Sequence, residues 1–103
     1  MGLKIEELRK LCDEGAIQWT AHIVTRMLQR GISREDVLSA VRTGEIIEQY
    51  PDDYPFPSCL VLGMSGSPLH VVCGIGKGEA YMITCYTPNP REWDHDFRKR
   101  VQT

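Results

Sequence analysis

Apolar residues recur at helical spacing in the N-terminal part of the chain and at strand spacing in the rest, and the change falls near Gly44. Ile5, Leu8, Leu11 and Cys12 follow a period of 3.6 with charged residues between them, and Gly15 stands where a first helix would stop. Ala16 to Trp19 is too short to assign, although it could pair as an edge strand, and Thr20 then offers an N-cap. In the second helix Ile23, Val24, Met27 and Leu28 share one side of the wheel, so Val24, Met27 and Leu28 are expected inward and Arg26 and Arg30 toward solvent. Gly31 ends it. Ser33 and Asp36 form a close relative of the capping box, and the third helix carries Val37, Leu38 and Val41 inward before Gly44.

The later runs are rich in Val, Ile, Leu and Tyr and are separated by Gly, Pro and Ser, which reads as strands. They cover Glu45 to Tyr50, about Ser58 to Met64, Leu69 to Ile75 and Ala80 to Tyr86. Pro51 to Pro57 cannot continue a ladder, Ser65 to Pro68 turns the chain, and Gly76-Lys77-Gly78 closes a hairpin. Short connections give an antiparallel meander. Both faces of the last strands carry apolar residues, so helices should cover one face and something else should shield part of the other. The expected fold is one α+β domain over residues 1–103: three N-terminal helices on a C-terminal antiparallel sheet of about four strands, with a short C-terminal helix or tail.

Composition fits such a domain, with 42% hydrophobic and 25% charged residues among 103. No apolar run approaches the ~20 residues of a membrane helix, and the N-terminus becomes charged at once, so a cytoplasmic protein with no membrane contact is expected. The cysteines Cys12, Cys59, Cys73 and Cys85 have no C-x-x-C spacing, and buried free thiols are expected rather than disulfides or a zinc site. His22, His70 and His95 are scattered, so neither a metal nor a cofactor is expected. The net charge of -2 would repel a polyanion, and any contact with RNA must come from a local patch.

One such patch is His22, Arg26 and Arg30, spaced i, i+4, i+8 on the second helix. Arginine forks hold phosphate oxygens and a histidine moves protons near neutrality, which suits a phosphodiester; the plain alternative is a solvated polar face. His70 lies within a strand and is either a second proton carrier or a hydrogen-bonded structural residue. Its neighbour depends on register: opposite Thr84 it would have Tyr86 as a diagonal neighbour, and a one-residue slip would set it against Cys85. Tyr86 is a candidate for positioning. Arg98 and Arg100, with Trp93 and Phe97, could hold phosphates and stack bases, unless the two aromatics at i and i+4 simply staple a terminal helix to the body.

Taken together, His22-x-x-x-Arg26-x-x-x-Arg30-Gly31-Ile32-Ser33, Asp36-Val37, Gly44-Glu45-Ile46-Ile47, Tyr50-Pro51, Leu69-His70-Val71-Val72 and Ile83-Thr84-x-Tyr86-x-Pro88 through Trp93 resemble the bacterial domain-of-unknown-function family 4258. The order of helices and sheet is similar to that of the RelE-like and MqsR-like toxins, small ribonucleases that cleave messenger RNA without metal. The resemblance implies the toxin half of a toxin–antitoxin pair, with a small zinc-finger antitoxin as partner and single-stranded RNA as substrate. The resemblance supplies no catalytic set, and on the positions of charge in this sequence the candidate catalytic residues are His22, Arg26, His70 and Tyr86, and the candidate RNA-binding residues Arg30, Arg98 and Arg100. The other reading is a non-catalytic module that holds a protein partner through the same surface or a sheet edge. The oligomeric state is left open by the sequence.

Overall fold

The structure is a computed structural model that describes residues 2–64 and 66–101. Three helices, α1 (Ile5–Asp13), α2 (Ala21–Arg30) and α3 (Arg34–Thr43), and five strands, β1 (Ile17–Trp19), β2 (Glu45–Tyr50), β3 (Ser58–Gly63), β4 (Leu69–Gly76) and β5 (Glu79–Tyr86), follow the change of period seen in the sequence. The caps explain the boundaries. Thr20 Oγ1 accepts from the Ile23 amide at 3.2 Å, and Gly31 takes the left-handed conformation that ends α2. Ser33 and Asp36 satisfy one another's backbone amides in a complete capping box at 2.9 and 3.0 Å. At the other end of α3, Arg9 donates to the Val41 and Gly44 carbonyls at 3.0 and 2.8 Å, which uses a cation from α1 to cover a helix C-terminus.

The sheet runs β1-β5-β4-β3-β2, and all neighbours are antiparallel except β1, which pairs parallel with β5. This corrects the expected four-stranded antiparallel sheet to a five-stranded mixed one. The added member is Ile17–Trp19, a segment too short to show a period of its own. The register of β4 and β5 also corrects both expectations for His70, which lies opposite neither Thr84 nor Cys85. A bulge between Val72 and Cys73 shifts the pairing, and His70 stands directly opposite Tyr86.

All three helices cover one face of the sheet. Val37, Ala40 and Val41 of α3, Ile23 and Met27 of α2 and Leu8 and Cys12 of α1 pack with Cys59, Val61, Val71, Cys73, Ala80, Met82 and Cys85. Ala40 lies so close to β3 that a Cβ at Gly63 would fall 2.6 Å from its Cα. The four cysteines are buried thiols, and burial pushes Cys59 up to about 12. On the opposite face His70 and Leu60 are fully buried and Leu62 nearly so, with Trp93 from the C-terminal segment stacked edge-on against His70.

One expectation fails here, and one alternative is decided. In α2 only Ile23 and Met27 turn inward; Val24 is 38% and Leu28 81% exposed. The helix meets β5 along the stripe of Ile23 and Met27, so Val24 lies at the edge of that contact and Leu28 outside it. The C-terminal segment is a looped tail and not a helix. Trp93 and Arg100 form an isolated antiparallel bridge, Phe97 has a positive φ, and Asp94 and Asp96 side chains accept from the Arg98 amide within the turn. Among the described residues no helix is long and apolar enough to cross a membrane.

Candidate functional site

Parallel β1 ends at Trp19 against Met82, and the chain leaves the sheet there to enter α2. Thr20 makes the turn rigid: its Oγ1, while capping α2, also donates to the Ile83 carbonyl at 2.9 Å. From that point α2 and β5 run on without β1 between them, and a groove of about 360 Å³ opens along the strand. Its floor is Thr84, Cys85, Tyr86 and Thr87; His22, Arg26 and Arg30 line it from α2, and Asn89 and Glu92 from the tail. Because α2 lies on one face of the sheet and the tail on the other, these form two opposing walls above a strand edge.

The i, i+4, i+8 stripe is thus brought to a concave surface. Arg26 donates to Gln29 at 3.2 Å, and among the described residues none of His22, Arg26 and Arg30 forms a salt bridge. Arg30 and Cys85 both line the groove; burial raises the pKa of the Cys85 thiol, and the Arg30 guanidinium opposes that rise. Glu92 is the only acidic residue among those lining the groove. Since Arg26 has no carboxylate partner, Arg26→Glu is expected to change stability by less than about 0.5 kcal/mol. Thermal melts of the variant check this; a loss of several kcal/mol would mark the arginine as structural.

His70 is placed elsewhere. Its side chain is fully buried on the face away from α2. The Phe97 carbonyl, 2.9 Å from Nε2, can only accept, so Nε2 carries the ring proton; Nδ1 is then free to accept from the Tyr86 hydroxyl at 3.2 Å. Burial, the largest influence, holds the pKa of His70 below its ordinary value, and Arg100 adds to this against the opposing pull of Glu48 and the Phe97 carbonyl. The Tyr86 hydroxyl is directed to His70, so Tyr86 borders the groove with its phenol engaged behind it.

Arg98 and Arg100 do not join the groove. Arg98 pairs with Glu45 and, at 3.4 Å, with Asp96. Arg100 makes a bidentate pair with Glu48 at 3.0 and 3.1 Å and stacks on Trp93 with its guanidinium 4.7 Å from the ring. Burial pushes Glu48 up, but hydrogen bonds from Arg100 and Tyr50 outweigh it and leave the carboxyl below the usual range. Both arginines act as rivets that hold the tail on β2. The groove residues missed from sequence are Thr84, Cys85, Thr87, Asn89 and Glu92; the signal for the last three was the Thr87-Pro88-Asn89-Pro90 turn, which directs the chain across the end of β5.

A neighbouring hollow of about 320 Å³ lies between α3 and the β3–β4 connection, shares Thr87 with the groove, and contains Asp36, Ser39 and Ser67 but no cation. No group of three His, Cys, Asp or Glu side chains suited to an ion is found among the described residues.

Residues 19–87 match the model of the family described as "Domain of unknown function (DUF4258)". The chain belongs to this family. The matched span includes α2, His70, Tyr86 and the groove floor, and it ends before Asn89, Glu92 and the two tail arginines. No curated protein and no solved structure matches the chain.

Proposed function

We propose that the groove beside α2 binds single-stranded RNA and cleaves it without a metal ion, as the toxin half of a toxin–antitoxin pair resembling the RelE-like and MqsR-like ribonucleases. The observation that supports this reading is the gathering of His22, Arg26 and Arg30 on one wall with no carboxylate partner within salt-bridge distance among the described residues. An acidic domain that keeps such cations unpaired in a concavity has a local site for an anion despite its overall charge.

In this reaction the ribose 2′-oxygen attacks the adjacent phosphorus, and the bond from phosphorus to the 5′-oxygen breaks. His22 takes the 2′ proton, Arg26 and Arg30 hold the non-bridging oxygens as charge builds on them, and the leaving oxygen takes a proton from water. The products are a 2′,3′-cyclic phosphate and a 5′-hydroxyl. His70 acts from behind the strand: it fixes Tyr86 and has no access to the phosphate.

Purified protein incubated with single-stranded RNA in excess chelator tests the proposal. Cleavage is expected, and His22→Ala should slow it by about 100-fold or more while RNA binding changes little. Arg26→Ala should instead weaken binding and flatten its dependence on log salt by about 0.7, the contribution of one phosphate contact on a single strand. RNA left intact by the folded wild-type protein would refute the catalytic reading.

A further inference from the structure

We infer that the same groove seats an extended acidic segment of a protein partner, which adds as a sixth strand along the open edge of β5. The inference names a partner for the site proposed above and rests on that reading only in that the two ligands would exclude one another.

The floor of the groove carries the first part of the argument. β5 runs to Tyr86, but β1 covers its outer side only as far as Met82. On the inner side Thr84, Cys85 and Tyr86 pair with Val72, Val71 and His70. In an antiparallel ladder every second residue turns its N–H and C=O away from its partner strand. Beyond Ile83, whose carbonyl takes the Thr20 hydroxyl, those groups point into the groove with no strand among the described residues to receive them. Such an edge is a template for one more strand. A phosphodiester chain has no N–H to offer the outward carbonyls, whereas a peptide backbone supplies both donor and acceptor.

The walls carry the second part. Residues four apart on α2 rise by about 6 Å along the helix, and side chains on one face of a strand repeat every ~6.6 Å. Carboxylates at alternate positions of an added strand therefore match His22, Arg26 and Arg30 nearly one for one. The intervening side chains would face the tail wall, where Glu92 disfavours a second row of carboxylates and Asn89 favours neutral polar groups. The fitting segment is thus acidic toward the helix and uncharged toward the tail, in strict alternation.

The test uses two end-blocked nine-residue peptides of one composition, the first alternating Glu and Thr and the second with its Glu residues in a single block. The alternating peptide is expected to bind at least tenfold more tightly and to slow amide hydrogen exchange within residues 83–87. An Arg26→Glu, Arg30→Glu double variant, checked by its melting curve, should lose at least tenfold of that affinity. Equal affinity for both peptides, unchanged exchange on β5, or no binding would overturn the inference. Cleavage of RNA by the same preparation reports separately. RNA cut without peptide binding refutes the strand addition alone, and ordered peptide binding without cleavage supports it while refuting the nuclease.

Discussion

His70→Ala is expected to destabilise the protein by about 3–4 kcal/mol, since it opens a cavity in a fully buried site and strips partners from the Tyr86 hydroxyl and the Phe97 carbonyl. For a domain of this size that lowers Tm by at least about 12 °C. His70→Phe retains a ring against Trp93 and loses only the two hydrogen bonds, so about 2 kcal/mol is expected. The pair of variants also separates a pH effect. The folded-state pKa of His70 lies below its unfolded value of 6.5, so the neutral ring is the form that folding favours. Its contribution is complete above that value and is lost as the pH falls through 6.5 toward the folded pKa, where the unfolded chain binds the proton more readily. Wild-type melts between pH 7.5 and 5 should therefore fall more steeply than those of His70→Phe. Parallel curves would mean that the ring titrates alike in both states.

Gly44→Ala is expected to cost about 3 kcal/mol, although its φ is ordinary and the residue sits at a helix end where alanine is usually harmless. A Cβ there would meet the Leu62 and Ala40 carbonyl oxygens well inside van der Waals contact. Both belong to regular elements, so neither can yield without disturbing β3 or α3. Chemical denaturation of the variant gives the value directly. Recovery of wild-type stability would show that the α3–β2 junction is looser than its geometry implies.

The parts of the fold legible in the sequence are those whose signal is local. The capping box at Ser33 and Asp36, the stops at Gly31 and Gly44 and the four later strands all follow from residues a few positions apart. Where the outcome depended on distant partners, the pattern misled. Val24 and Leu28 share a wheel face with Ile23 and Met27, yet only contact with β5 decides which pair is buried. Trp93 and Phe97 have helical spacing, but the tail's conformation is set by His70, Glu45 and Glu48 on the sheet, and Asp94 and Asp96 turn the chain instead.

The candidate site divides in the same way. His22, Arg26 and Arg30 were legible because one helix carries all three. Arg98 and Arg100 carried the same charge signal, and their neutralisation by Glu45 and Glu48 joins residues about 50 positions apart, which no local reading displays. For His70 neither expected register, opposite Thr84 or opposite Cys85, is the observed one: the register shift between Val72 and Cys73 sets it opposite Tyr86, and no local pattern displays such a shift.

The parallel seam between β1 and β5 also bears on how the chain is made. Thr20 and Ile83, tied together at the head of the groove, lie 63 residues apart. A chain emerging N-terminus first can form α1 and α2 early, yet β1 has no partner until Ala80–Met82 in the first half of β5 have left the ribosome. Until then β2, β3 and β4 can pair with one another, but the strand that α2 packs on is missing. The groove is assembled at that closing step, so the cationic wall on α2 precedes its own floor, and a nascent chain acquires the site only once β5 has joined the sheet.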